Sequence, residues 1–302
     1  MITRNFIVAC ALACACANAA ASGCDGIAVQ VLGSGGPIPN GARASSGYLV
    51  WIDGHSRVLV DAGGGTFLRF GESGAALADL NLIALTHFHA DHVADVPALV
   101  KAGFFSDRKA PLPISGPGEG GEFPGLKHFL ASEFTAHDGA FGYLSGALDG
   151  SDGMFRLVPI EVPLPRENVQ LILDTAEIKV IAAPVTHGPV PALGYLVKAR
   201  DKTIAFSGDQ NGNNPIFWKM IDHADVLVVH MAIPEKADAV ASKLHATPSS
   251  IGQHANEAHV GQVVLSHLMP RSLANLDENV ALVRGEYRGK VTVASDLQCF
   301  SP

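Results

Sequence analysis

Leu82-Ile83-Ala84-Leu85-Thr86-His87-Phe88-His89-Ala90-Asp91-His92 is the stretch on which the fold turns. Its apolar front reads as a short buried strand. Immediately beyond it stand four side chains with metal-ligating atoms, His87, His89, Asp91 and His92. His87 and His89 alternate, so an extended segment turns both to one side, while Asp91 and His92 open the next helix and face back. Imidazole and carboxylate at this density suit a borderline-soft divalent ion. One histidine here would read as a solvated turn, but H-x-H-x-D-H after an apolar strand does not.

Working outward, short runs rich in Val, Ile and Leu predict strands over 27–32, 48–52, 58–61, 82–86, 155–162, 169–173, 178–182, 195–198, 203–207, 226–230, 263–268 and 291–294. Helical patterns fall between some of them, over 91–105, 126–135, 217–223, 248–259 and 276–288. Thr247 stands where an N-cap belongs, with Pro248 in the first turn. Strands interrupted by helices predict an α/β layered domain. Residues 111–153, rich in Gly and Pro with little periodicity, read as a surface insertion or lid. A chain of 302 residues, 48% hydrophobic and 17% charged, has ample core material, which excludes disorder, collagen and coiled coil.

The formal charge is -8, from 21 Lys+Arg against 29 Asp+Glu. That balance argues against a polyanion as the main partner, since phosphate contacts need clustered cations. Residues 1–21 show one cation, Arg4, an apolar run over 6–17, and then Ala17-Asn18-Ala19, the pattern of a cleaved secretory signal. The apolar run is too short for a bilayer that needs about 20 residues. A mature chain of residues 22–302, periplasmic or secreted, is therefore expected. Cleavage would discard Cys10, Cys14 and Cys16 and leave Cys24 and Cys299. Three states stay open for that pair: a disulfide joining the termini, two free thiols, or a lipid anchor on Cys24 after Ala21-Ser22-Gly23.

With these motifs the sequence resembles the metallo-β-lactamase-fold hydrolases through nearly the whole mature chain. H-x-H-x-D-H is that family's signature, and the resemblance implies an α/β, four-layer αββα sandwich: two mixed β-sheets flanked by helices. Thr186-His187-Gly188, Ser207-Gly208-Asp209 and Ser266-His267-Leu268, each following a predicted strand, match the remaining ligand positions. The resemblance also implies two divalent metal ions. His87, His89 and His187 would surround one, Asp91, His92 and His267 the other, and Asp209 would bridge them. Zinc is the expected metal, with manganese or iron as alternatives.

The segments 31–37, Arg43, 47–50, 59–63 and His245-Ala246-Thr247-Pro248 resemble the ribonuclease Z and arylsulfatase-like phosphodiesterase branch. In that branch the residue matching His245 gives a proton to the leaving group. The implied catalytic residues are thus Asp91, which orients the nucleophile and accepts its proton, and His245. The expected activity is hydrolysis of a small phosphodiester or an aryl or alkyl sulfate ester by a hydroxide formed between the two ions. A small-molecule ester substrate and no nucleic acid are expected, because the balance is acidic and no basic Gly-Pro arm is present. Three alternatives stand beside this reading: a ribonuclease Z-like endonuclease, a lactone, thioester or β-lactam hydrolase, and a non-catalytic metal-binding scaffold. Asp61 is expected to order the metal loop. His230 is open between orienting a ligand and being a plain buried histidine, Arg271 between holding a substrate oxyanion and a surface ion pair. His55, His128, His137, His223, His254 and His259 fit no motif, and the oligomeric state, dimer included, is unread.

Overall fold

Along β1 (Ile27–Gly33) and β2 (Gly47–Ile52), alternate residues enter different cores. Val29, Val31, Tyr48, Val50 and Ile52 face one, while Ala28, Leu32, Leu49 and Trp51 face another. Strands apolar on both faces require a sheet covered on both sides. The computed structural model describes residues 23–165 and 167–302, so the expected signal segment lies outside the described residues.

One sheet has the order β14 (Cys299–Phe300), β1, β2, β3 (His55–Val60), β4 (Leu82–Ala84), β5 (Leu112–Pro117), β6 (Leu157–Val162). The other runs β13 (Lys290–Val293), β12 (Gln262–Ser266), β11 (Val226–His230), β10 (Lys202–Phe206), β9 (Val190–Ala199), β8 (Ile178–His187), β7 (Gln170–Asp174). Both are mixed. β14 and β1 to β3 pair antiparallel and β3 to β6 parallel; β7 to β10 pair antiparallel and β10 to β13 parallel. Val60, Leu82 and Ala84 of the first sheet share a core with Leu193, Tyr195, Phe206 and Val228 of the second. Helices cover the outer faces through Leu99, Leu126, Leu130 and Phe134 on one side and Phe217, Ile251, Ala255 and Val283 on the other. This is the expected four-layer sandwich.

Three local differences have physical causes. β5 lies inside the segment read as a lid and pairs with β4 and β6. Pro113 and Pro117, which remove two backbone donors, hide it from a pattern reading. The helix expected over 91–105 is two, Ala90–Val93 and Val96–Phe104, the second opening with Pro97 in its first turn. The helix Leu126–Phe134 buries Leu126, Leu130 and Phe134 in the core, so this part of the insertion is packed. At the helix Pro248–Glu257, Thr247 is the N-cap residue but its side chain makes no capping bond. Glu235 accepts from Ser249 N (2.9 Å) in its place.

Cys24 and Cys299 form a disulfide with Cα atoms 5.8 Å apart, beside the register pair Gln30 and Cys299 of β1 and β14. The sulfur is thereby taken, which removes both the lipid anchor and the free thiols. Among the described residues, no helix is long and apolar enough to cross a membrane.

Candidate metal centre

The C-terminal ends of β4, β8, β10, β11 and β12 converge on one edge of the sandwich, and each delivers donors there. Beyond β4 come His87 and His89, then Asp91 and His92 in the short helix Ala90–Val93. β8 ends on His187 and β11 on His230, Asp209 follows β10, and His267 follows β12. Strand ends in α/β sheets are where side chains can gather without interrupting the ladder.

Two groups of donors result, each with ligating atoms within 4.8 Å of one another: His87, His89, His187 and Asp209, and His92, Asp209, His230 and His267. In the first, His87 Nε2 lies 2.9 Å and His187 Nε2 3.4 Å from His89 Nδ1. Asp209 Oδ2 is 3.9 Å from His87 Nε2 and 3.7 Å from His187 Nε2. In the second, Asp209 Oδ2 is 3.7 Å from His92 Nε2 and Oδ1 is 3.4 Å from His267 Nε2. Asp91 joins it, with Oδ2 at 3.1 Å from His267 Nε2 and 3.5 Å from His92 Nε2. All seven residues expected as ligands therefore meet, and Asp209 is the one common to both groups.

His230 belongs behind the donors. Its Nδ1 lies 2.7 Å from Asp209 Oδ1 and its Nε2 3.0 Å from the Tyr48 hydroxyl. Burial pushes its pKa down to about 3, so the ring is neutral and carries one N–H. Next to a carboxylate that hydrogen sits on Nδ1, which leaves the Nε2 lone pair facing the Tyr48 hydroxyl. With both nitrogens engaged, His230 holds the shared carboxylate from behind, while Asp91 turns Oδ2 toward His267 and His92. Tyr48 also reaches Ser266 Oγ at 3.0 Å.

Other side chains are fixed in the same way. Asp61, in the left-handed region at φ 58°, accepts from Thr86 N (2.7 Å) and Thr86 Oγ1 (2.9 Å), and its Oδ2 lies 2.8 Å from His92 Nδ1. His187 Nδ1 is 2.8 Å from the Leu244 carbonyl. Gly36 lies flat against His267, where an added Cβ would come within 2.8 Å of the ring. Such outer contacts aim the ligating lone pairs.

Burial pushes the His87 and His89 pKa values down, so both rings are held neutral. At His92 burial acts downward too, but the Asp61, Asp91 and Asp209 carboxylates together outweigh it and raise the value. Burial works against ionised Asp209 and Asp91, yet the surrounding histidines hold both carboxyls below their usual range. The donor set fits divalent cations: His92 Nε2 is buried with no hydrogen-bond partner, and imidazole nitrogens point at one another across the first group. Buried polar atoms left this way are costly unless something electrophilic sits between them.

His245, at the C-cap of Ala239–Leu244, has Nδ1 3.9 Å from Asp209 Oδ1 and without a partner. Burial lowers its pKa to about 4, and an anionic substrate beside it would raise that value. Arg271 is in no ion pair among the described residues. Its Nε donates to Ala232 O (3.0 Å), and its charge acts on His245. Sequence reasoning missed Tyr48 and Ser266 as supports of His230; the inward alternation of β2 is the signal that could have found Tyr48.

Two covered sheets whose strand ends gather paired histidine and carboxylate groups define a metal-dependent hydrolase. The chain belongs to the metallo-beta-lactamase superfamily, which matches residues 40–241. It is 30% identical over 259 residues to a ribonuclease Z of Mycobacterium sp. (strain KMS), covering 81% of this chain and 85% of that one. Among solved structures, human tRNase Z, short form, superposes with a TM-score of 0.70 at 22% identity, covering 91% of this chain and 98% of the other. The metallo-beta-lactamase fold protein YhfI from Bacillus subtilis gives 0.69 at 22% identity, covering 91% and 99%.

These relatives overturn the expectation of a small-molecule ester and no nucleic acid. Proteins named as ribonucleases align with most of the chain. The expectation rested on net charge, which sums the whole surface and says little about one docking patch.

Proposed function

We propose that the chain is a binuclear metal-dependent phosphodiesterase that cleaves RNA, as the names of its relatives suggest. The observation that carries the reading is the carboxylate of Asp209 standing between two donor groups, with His245 on its Oδ1 side. His87, His89 and His187 would hold one ion, Asp91, His92 and His267 the other, and Asp209 both. When bound, such a pair supplies Lewis acidity and a nucleophile at neutral pH. The chain's own groups do the rest. Asp91 Oδ2 is placed to accept a proton from the attacking water, and His245 to give one to the departing oxygen. Arg271, in no ion pair among the described residues and close enough to influence His245, would hold a phosphate oxygen.

Docking away from the metals has a candidate as well. Lys101 Nζ lies 5.2 Å from the Phe104 ring, 4.9 Å from Phe105 and 5.3 Å from Tyr143. All three rings are exposed, Phe105 at 75% and Tyr143 at 69%. A cation among open ring faces is the chemistry by which single-stranded RNA is held, through phosphate pairing and base stacking. The Cys24–Cys299 disulfide supports an oxidising, extracytoplasmic location for the mature chain. The test is a panel of RNA, chromogenic phosphodiester, sulfate ester and lactone substrates with the zinc-loaded chain. Turnover of the sulfate ester or lactone without either phosphodiester would overturn the reading.

A further inference from the structure

The end of the second sheet opposite the metal centre carries a separate gathering of donors. Asp222 and His223 lie in the turn between the helix Pro215–Met220 and β11, and His259 in the turn between the helix Pro248–Glu257 and β12. Asp222 Oδ1 is 3.0 Å from His259 Nδ1 and 3.9 Å from His223 Nε2, and one donor atom from each residue falls within 4.8 Å of the others. The two imidazoles stack at 4.7 Å between centroids, 16° from parallel.

The backbone sets this arrangement. The two turns are bound by His223 N donating to Ala258 O (2.8 Å), Gly261 N to Ala224 O (2.8 Å) and Gln262 N to Asp225 O (3.0 Å). Both histidines adopt the left-handed region, His223 at φ 61° and His259 at φ 49°. Their side chains are 73% and 62% exposed, so an ion in solution can reach them. β11 separates this cluster from His230, and five residues at about 3.3 Å each place it roughly 16 Å from the metal centre.

We propose that Asp222, His223 and His259 form an additional site for a borderline divalent transition-metal ion such as zinc. Two imidazoles and one carboxylate are the donor set such ions take, with water completing the shell in an open site. The Asp222–His259 hydrogen bond is exchanged for two ligand bonds, as His259 moves its ring proton from Nδ1 to Nε2. The ion then ties together the two turns that precede β11 and β12, the strands that deliver His230 and His267. Sequence alone could not show this, because Asp222-His223 and His259 are 36 residues apart and match no ligand motif.

The test is equilibrium dialysis of the whole chain against zinc at concentrations above saturation of the hydrolytic centre, with bound metal counted by elemental analysis. The site predicts that the His223→Ala/His259→Ala double variant holds one zinc ion fewer per chain than the parent, with hydrolysis unchanged. Asp222→Asn should weaken that last ion about 10-fold. Equal zinc content in parent and double variant would overturn the proposal, as would a loss of the ion that also removed activity. Retention of the parent melting temperature in the zinc-free double variant keeps a folding defect from being mistaken for loss of the site.

Discussion

Nδ1 of His230 stands 2.7 Å from Oδ1 of Asp209, which makes His230 the fixed support of the one carboxylate that both donor groups share. His230→Ala should lower affinity for zinc about 10- to 100-fold, the usual cost of removing a support behind a ligand. Competition against a chromogenic chelator reads this out. His230→Gln, which can still donate to the carboxylate, should recover part of the loss, whereas a plain buried histidine would leave affinity unchanged in both variants.

His245→Ala tests the proton donor. The loss in kcat should be larger for a phosphodiester with a poor alkoxide leaving group than for one releasing nitrophenolate, which needs no proton. General acids typically contribute about 10²–10⁴-fold, so the alkoxide arm should fall in that range. Equal losses in both arms would remove the role.

Lys101, Phe104, Phe105 and Tyr143 supply a variant that separates docking from chemistry. Phe105→Ala/Tyr143→Ala should raise KM for RNA at least about 10-fold, since each stacked base is worth about 1–3 kcal/mol. Turnover of a chromogenic phosphodiester should not move. An unchanged KM for RNA would show that RNA is held elsewhere.

Cys24→Ser/Cys299→Ser opens the staple between the termini. Loss of a native disulfide typically costs about 2–5 kcal/mol, so thermal denaturation should show a clear fall in melting temperature. β14 is tied in by more than sulfur: Asp296, just before it, accepts from Ser34 N (3.0 Å) and Ala44 N (2.8 Å). The chain should therefore still fold at low temperature, and a variant unable to fold at all would contradict this.

Four of the seven residues proposed as ligands stand out in the sequence because H-x-H-x-D-H follows an apolar strand, a local pattern, whereas His187, Asp209 and His267 are singled out by the family resemblance. The layered fold is legible in Val, Ile and Leu runs such as 226–230 and 263–268. Pro113 hides β5, and the sequence leaves the pairing of Cys24 with Cys299 open, since neither a proline tolerated inside a sheet nor a contact across 275 residues has a local signature. His230 declares itself only through its partners, Asp209 and Tyr48. Net charge, which argues against RNA, is an average that conceals Lys101 among its rings.

The most direct measurement is cleavage of an end-labelled structured RNA by the zinc-loaded chain, run with parent, parent plus chelator, and Asp209→Ala. The account predicts discrete cleavage by the parent and intact RNA in the other two lanes, with activity restored to the chelated parent when zinc is returned. RNA left intact by the fully loaded parent, or cut equally well by Asp209→Ala, would contradict it.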